Sequence, residues 1–175
     1  MTNIPSQPET SLQIRRTFSA PRERVFQAWT EPEKIKKWFG PGQMVAPMIA
    51  QVDLRAGGHY RFEMRSSENT TMIILGTYQE VQPPERLVYT WVHDWGDGKK
   101  SDEETLVTVE FLDQGDKTEV VLTHERFATK QECDGHQEGW RNCFEAIERY
   151  LSLEMDFVKV PICAAASAIL IVPTR

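Results

Sequence analysis

The spacing of hydrophobic positions changes period several times along the chain. Leu12, Ile14 and Arg16 alternate with Gln13, Arg15 and Thr17, which predicts a strand. Val25, Phe26, Ala28 and Trp29 then share one face at helical spacing, with Ser19 as the expected N-cap and Pro21 at an early helical position. Thr30-Glu31-Pro32 begins a second short helix with Ile35, Trp38 and Phe39 on its apolar side, and Gly40-Pro41-Gly42 ends it. From there the period is two. Strands are expected at 45–54, 59–65, 71–81, 86–93, 105–112 and 118–127, with turns at Ala56-Gly57-Gly58, 66–70 and Pro83-Pro84-Glu85 and a polar loop at 94–102. Within 59–65 the alternation is clean: Tyr60, Phe62 and Met64 lie opposite His59, Arg61, Glu63 and Arg65, as in an antiparallel sheet with one wet face.

After Gln131 the pattern turns helical again. His136, Trp140, Cys143, Phe144, Ile147 and Leu151 form a wide apolar stripe on a helix of about six turns. A strand, two short helices, a run of strands and one long helix make an α+β fold. In it a curved antiparallel sheet of about six to seven strands wraps around the C-terminal helix, the largest cover for its apolar face. The domain spans 10–154, after a disordered polar arm at 1–9 and before an apolar tail at 155–175.

Charge and cysteine content narrow the function. The 175 residues carry a net charge of −6. The chain has no Lys/Arg run, which argues against a nucleic-acid footprint. Lys34, Lys36 and Lys37 read as the solvated face of a helix. Cys133, Cys143 and Cys163 have neither redox nor zinc spacing. The N-terminus has no signal-peptide pattern, so a reduced, cytoplasmic protein is expected. The apolar stretch 162–172, between Pro161 and Pro173, is shorter than the roughly 17–25 residues that span a bilayer. It packs on its own domain or on a second copy of the chain, a homodimer being the second expectation.

Four ordered groups of residues carry a family resemblance. They are Arg16-Thr17-Phe18-Ser19-Ala20-Pro21 running on to Trp38-Phe39-Gly40-Pro41; Asp53, Arg55, Gly57-Gly58, Tyr60 and Phe62; Gly76-Thr77-Tyr78, Glu80-Val81, Pro84-Glu85-Arg86-Leu87 and Thr90-Trp91; and 118–124 with Gly139-Trp140 and Leu151. Over about residues 11–153 the chain resembles the activator-of-Hsp90-ATPase-like family, within the START/Bet v1-like (SRPBCC) helix-grip superfamily. The resemblance implies the helix-grip fold. For function it implies either a cavity for a small apolar or aromatic ligand, or an interaction with an Hsp90-type chaperone in stress response, or cyclase- or hydrolase-like chemistry in the cavity.

Strand parity selects the inner wall. Tyr60, Phe62 and Met64 point inward, with Tyr78, Tyr89, Trp91 and His93 on the strands that follow. Val107, Val109 and Phe111 continue that face, then Val120, Leu122 and His124, and Trp140 and Phe144 close it from the helix. The same residues suit a ligand pocket or a packed core, and parity does not separate the two. His93 and His124, at strand ends on the inner face, are candidates for general acid–base work or for hydrogen-bonded rim positions. His59 falls on the outer face and His136 at the start of the helix. The histidines lack metal-site spacing, so no metal and no cofactor is expected. Asp94, Asp97, Asp102, Glu103 and Glu104 make the 94–102 region and its flank acidic, either a docking patch or a solvated loop.

Overall fold

A computed structural model describes residues 10–40, 49–65, 68–95 and 104–158, with side chains to 154. The elements follow the expected order. β1 (Leu12–Phe18) leads to α1 (Arg22–Thr30) and α2 (Pro32–Trp38). Then come β2 (Ile49–Val52), β3 (His59–Arg65), β4 (Thr71–Gln82), β5 (Arg86–Asp94), β6 (Thr105–Asp113), β7 (Thr118–Glu125) and α3 (Lys130–Val158). The strands form one curved antiparallel sheet in the order β1-β7-β6-β5-β4-β3-β2. β7 returns to pair with β1, and α3 packs along β1 and beside α1 and α2. This is the helix-grip architecture.

Period-two burial positions the inner face. In β3, Tyr60, Phe62 and Met64 are buried and their neighbours are not, as the alternation requires. β5 is different, since Leu87 through Val92 are all buried. It is a central strand, paired with β4 on one side and β6 on the other. In β4 the register shifts between Tyr78 and Glu80, a bulge beyond which pairing with β5 resumes at Val88. Gly76 precedes it, and a Cβ there would collide with the Thr90 carbonyl and the Tyr60 ring.

Some boundaries differ from expectation for local reasons. The N-cap of α1 is Pro21, without a side-chain cap, rather than Ser19. The Thr118 hydroxyl donates to the Ala20 carbonyl (2.7 Å) and pins the chain to β7 just before the helix. α2 starts at Pro32 behind the extended Glu31, and Thr30 closes α1. β7 ends at Glu125 because Arg126 adopts φ 72°. α3 runs 29 residues, about eight turns. Its start is a capping box: the Thr129 hydroxyl accepts from the Glu132 N–H (3.2 Å) and the Glu132 carboxylate from the Thr129 N–H (3.3 Å). Gly57 turns β2 into β3 at φ 80°. The N-terminal arm, 45–48 of the expected 45–54 strand, 96–102 of the acidic loop and 159–175 of the apolar tail lie outside the described residues, while 155–158 continue α3.

Candidate functional site

Three histidines from three elements meet at one rim of the sheet: His93 near the end of β5, His124 near the end of β7, and His136 on the second turn of α3. Antiparallel register explains the first two. Trp91 of β5 pairs with Thr105 of β6, and Val107 of β6 pairs with His124 of β7. The His93 and His136 rings are 4.9 Å apart, the His124 and His136 rings 5.0 Å. Phe127 packs against both His124 (4.4 Å) and His136 (4.7 Å).

Each imidazole has a different hydrogen-bonding state. The Trp140 indole N–H donates to His124 Nδ1 (3.0 Å). An indole is a donor only, so this bond makes Nδ1 the acceptor and leaves the proton on Nε2. His124 Nε2 then donates to the Thr105 hydroxyl (2.7 Å), which donates onward to the Trp91 carbonyl (3.1 Å). Both nitrogens of His124 are thereby engaged within the protein, and the residue is 0% exposed. His136 Nδ1 donates to the Glu132 carbonyl (2.8 Å), which leaves Nε2 as an acceptor, and that atom is buried without a partner. Neither ring nitrogen of His93 has a partner among the described residues, and its ring stacks on Trp95 (5.7 Å, 15°).

Burial is the main cause of the low proton affinity of all three. His93 is pushed down to about 4, with the nearby His136 adding to the effect. His124 is lowered well below its usual range by burial and by its two histidine neighbours. His136 is lowered by burial, against the opposing pull of Glu132. At neutral pH the cluster is uncharged.

Among the described residues, an inner cavity and a rim pocket lie between sheet and helices. The inner one, about 20 Å³, is enclosed by aromatic rings, among them Trp29, Trp38, Tyr60, Tyr78 and Tyr89. It has room for about one water. Burial raises the ionisation range of Tyr60, Tyr78 and Tyr89, so their phenols stay neutral. The rim pocket is far larger, about 580 Å³, within the size range of small-molecule sites. Trp91 and Trp140 wall both cavities. His93, His136, Phe127 and Trp95 also line the rim pocket, and Trp95 is 44% exposed. Cys143 forms part of its floor, its thiol pushed up to about 12 by burial.

The expected wall residues therefore separate into groups. Tyr60, Phe62, Tyr78 and Tyr89 surround the inner cavity, Trp91 and Trp140 divide the two, and His93 faces the rim pocket. Met64, Val107, Val109, Phe111, Val120, Leu122 and Phe144 are buried core side chains that wall neither cavity, and His124 lies behind the rim pocket in the Trp140–Thr105 network.

Strand parity did not reveal His136, Trp95, Phe127 or the helix glycines Gly135 and Gly139, all of which line the rim pocket. The last two had a signal. Glycine at i and i+4 inside a helix forgoes about 1 kcal/mol of helix propensity each, which asks for a reason. A Cβ at Gly135 would meet nothing within 4 Å. Thr129-x-x-Glu132, the capping-box pattern, would have placed His136 one turn above the helix start. Among the described residues no group of three or more His, Cys, Asp or Glu could hold a metal ion, and no helix is long and apolar enough to cross a membrane.

The family model described as "Activator of Hsp90 ATPase homolog 1-like protein" matches residues 19–152. No curated protein matches the chain. Solved structures match with the same fold. A Nitrosomonas europaea protein is 24% identical, with TM-score 0.72, over 86% of this chain and 99% of its own. A Silicibacter pomeroyi protein is 23% identical, with TM-score 0.74, over 82% and 99%. An Aeromonas hydrophila protein is 22% identical, with TM-score 0.69, over 83% and 94%.

Proposed function

We propose, for a chain that belongs to the activator of Hsp90 ATPase homolog 1-like family, that it is a non-catalytic helix-grip domain holding a small apolar or aromatic molecule in the rim pocket. The observation that carries this reading is a 580 Å³ space walled by indole, imidazole and phenyl rings. A chain seeking only stability would fill such a space with side chains. Here α3 instead places Gly135 and Gly139 against it.

Catalysis has less support. His124 is held neutral with both nitrogens occupied, and His93 binds protons too weakly to serve as a base near pH 7. A reduced, cytoplasmic setting suits Cys133 and Cys143, which are free and buried.

The test is mass spectrometry on the purified protein, native and after denaturing extraction. A stoichiometric apolar species released on unfolding is the expected result. An empty protein that also gains no thermal stability from a panel of small aromatic compounds would overturn the reading. The family's name favours a second one, stimulation of an Hsp90-type ATPase through the outer surface. It predicts faster ATP turnover by the chaperone in the presence of this protein, with the rim pocket blocked or free.

A further inference from the structure

We infer that the rim pocket selects an uncharged, planar aromatic molecule carrying a hydroxyl group, in preference to a carboxylate or a bare hydrocarbon. The inference rests on the pocket reading above and specifies the ligand's chemistry.

Three observations lead to it. The first is shape. Trp95 stands half out of the protein, stacked on His93, with Trp91 5.8 Å behind that ring. An indole left this exposed, stacked on His93 with Trp91 edge-on behind it, offers a flat surface to a flat partner.

The second is hydrogen bonding. Buried polar atoms in folded proteins are nearly always paired. Two in this wall are not, the Trp91 indole N–H and the His136 Nε2 lone pair. His93 adds one donor and one acceptor that no described residue uses. His93 thus presents a donor and an acceptor to the pocket, the complement of a hydroxyl group, which gives and accepts, in a wall whose two shut-in polar atoms already lack partners.

The third is charge. Among the described residues no Lys or Arg lines the pocket, and its one acidic side chain is Glu132. The imidazoles 4.9 Å apart are kept neutral by burial. A ligand carboxylate would lose its hydration there and meet no cation.

The experiment is calorimetric titration of the intact protein at neutral pH with 2-naphthol, naphthalene and 2-naphthoate, which share one ring system. The expected order is 2-naphthol tighter than naphthalene by about tenfold, the contribution of one or two net hydrogen bonds, and 2-naphthoate weakest. In His93→Phe, which keeps an aromatic ring against Trp95, the preference for 2-naphthol over naphthalene shrinks while naphthalene affinity is retained. Binding of 2-naphthol and naphthalene with equal affinity overturns the hydroxyl preference and leaves the pocket reading intact. Tighter binding of 2-naphthoate overturns the charge argument. Failure of all three to bind removes the pocket reading and this inference together. The comparison of ligands on the unaltered protein decides the matter even where the variant is unstable.

Discussion

A neutral histidine cluster ties folding to pH through individual side chains. His93 takes up a proton at about pH 4 when folded and near its ordinary value of 6.5 when unfolded. Below 6.5 the unfolded chain therefore binds more protons. The stabilisation is complete above 6.5 and is lost as pH falls towards 4. The Tm of the protein should drop across that window, and in His93→Phe the drop should be shallower. Parallel Tm–pH curves for the two proteins would refute the assignment. His124 gives a second prediction. Trp140→Phe removes the indole N–H and leaves His124 Nδ1 buried without its donor, a loss of about 1–3 kcal/mol beyond any change in packing. Denaturant melts of Trp140→Phe and of the double variant Trp140→Phe/His124→Phe measure it. The double variant should recover part of the loss, since no unpaired nitrogen remains.

Elements determine how the rim pocket comes to exist, and α3 contributes most. Its capping box fixes the register of everything downstream, because the Glu132 carbonyl also orients His136. Thr129→Ala should cost about 1 kcal/mol in chemical denaturation; no change would mean that the cap is idle. Gly135→Ala should do the reverse. It adds a methyl group where nothing lies within 4 Å and removes a helix-interior glycine, for a gain of about 1 kcal/mol.

Period and parity made much of this legible from sequence. The alternation of β3, the apolar stripe of α3 and the two short helices after β1 were all readable, because burial imposes those periods directly. The bulge in β4 and the covered outer face of β5 were not, since they depend on neighbours in the sheet rather than on the strand's own pattern. The site was legible in part for a related reason. Parity says that Tyr60, Tyr89 and Trp91 point inward. Whether the space between them is filled depends on the side chains opposite. At the inner end Trp29 and Trp38 fill it to about 20 Å³, and at the rim Gly135 and Gly139 do not.

In the whole molecule the sheet, α1, α2 and α3 pack one continuous core, with Trp29 touching Trp38, Phe111, Trp140 and Phe144. The rim pocket shares Trp91, Trp140 and Phe127 with that core, but at Gly135 of α3 an added Cβ meets nothing within 4 Å. A bulky side chain at residue 135 separates the two roles. Gly135→Phe points a ring into the open wall of the pocket and should leave the fold intact, with Tm at or above that of the parent. The co-purifying molecule should vanish from the extract, and affinity for an aromatic probe should fall by at least tenfold, a difference of about 1.4 kcal/mol. A normal Tm with unchanged ligand content would place the ligand elsewhere. If the filled variant also stimulates a chaperone ATPase as well as the parent does, the outer surface carries that activity and the pocket has a separate purpose. If stimulation disappears with the ligand, occupancy of the pocket is what the partner reads.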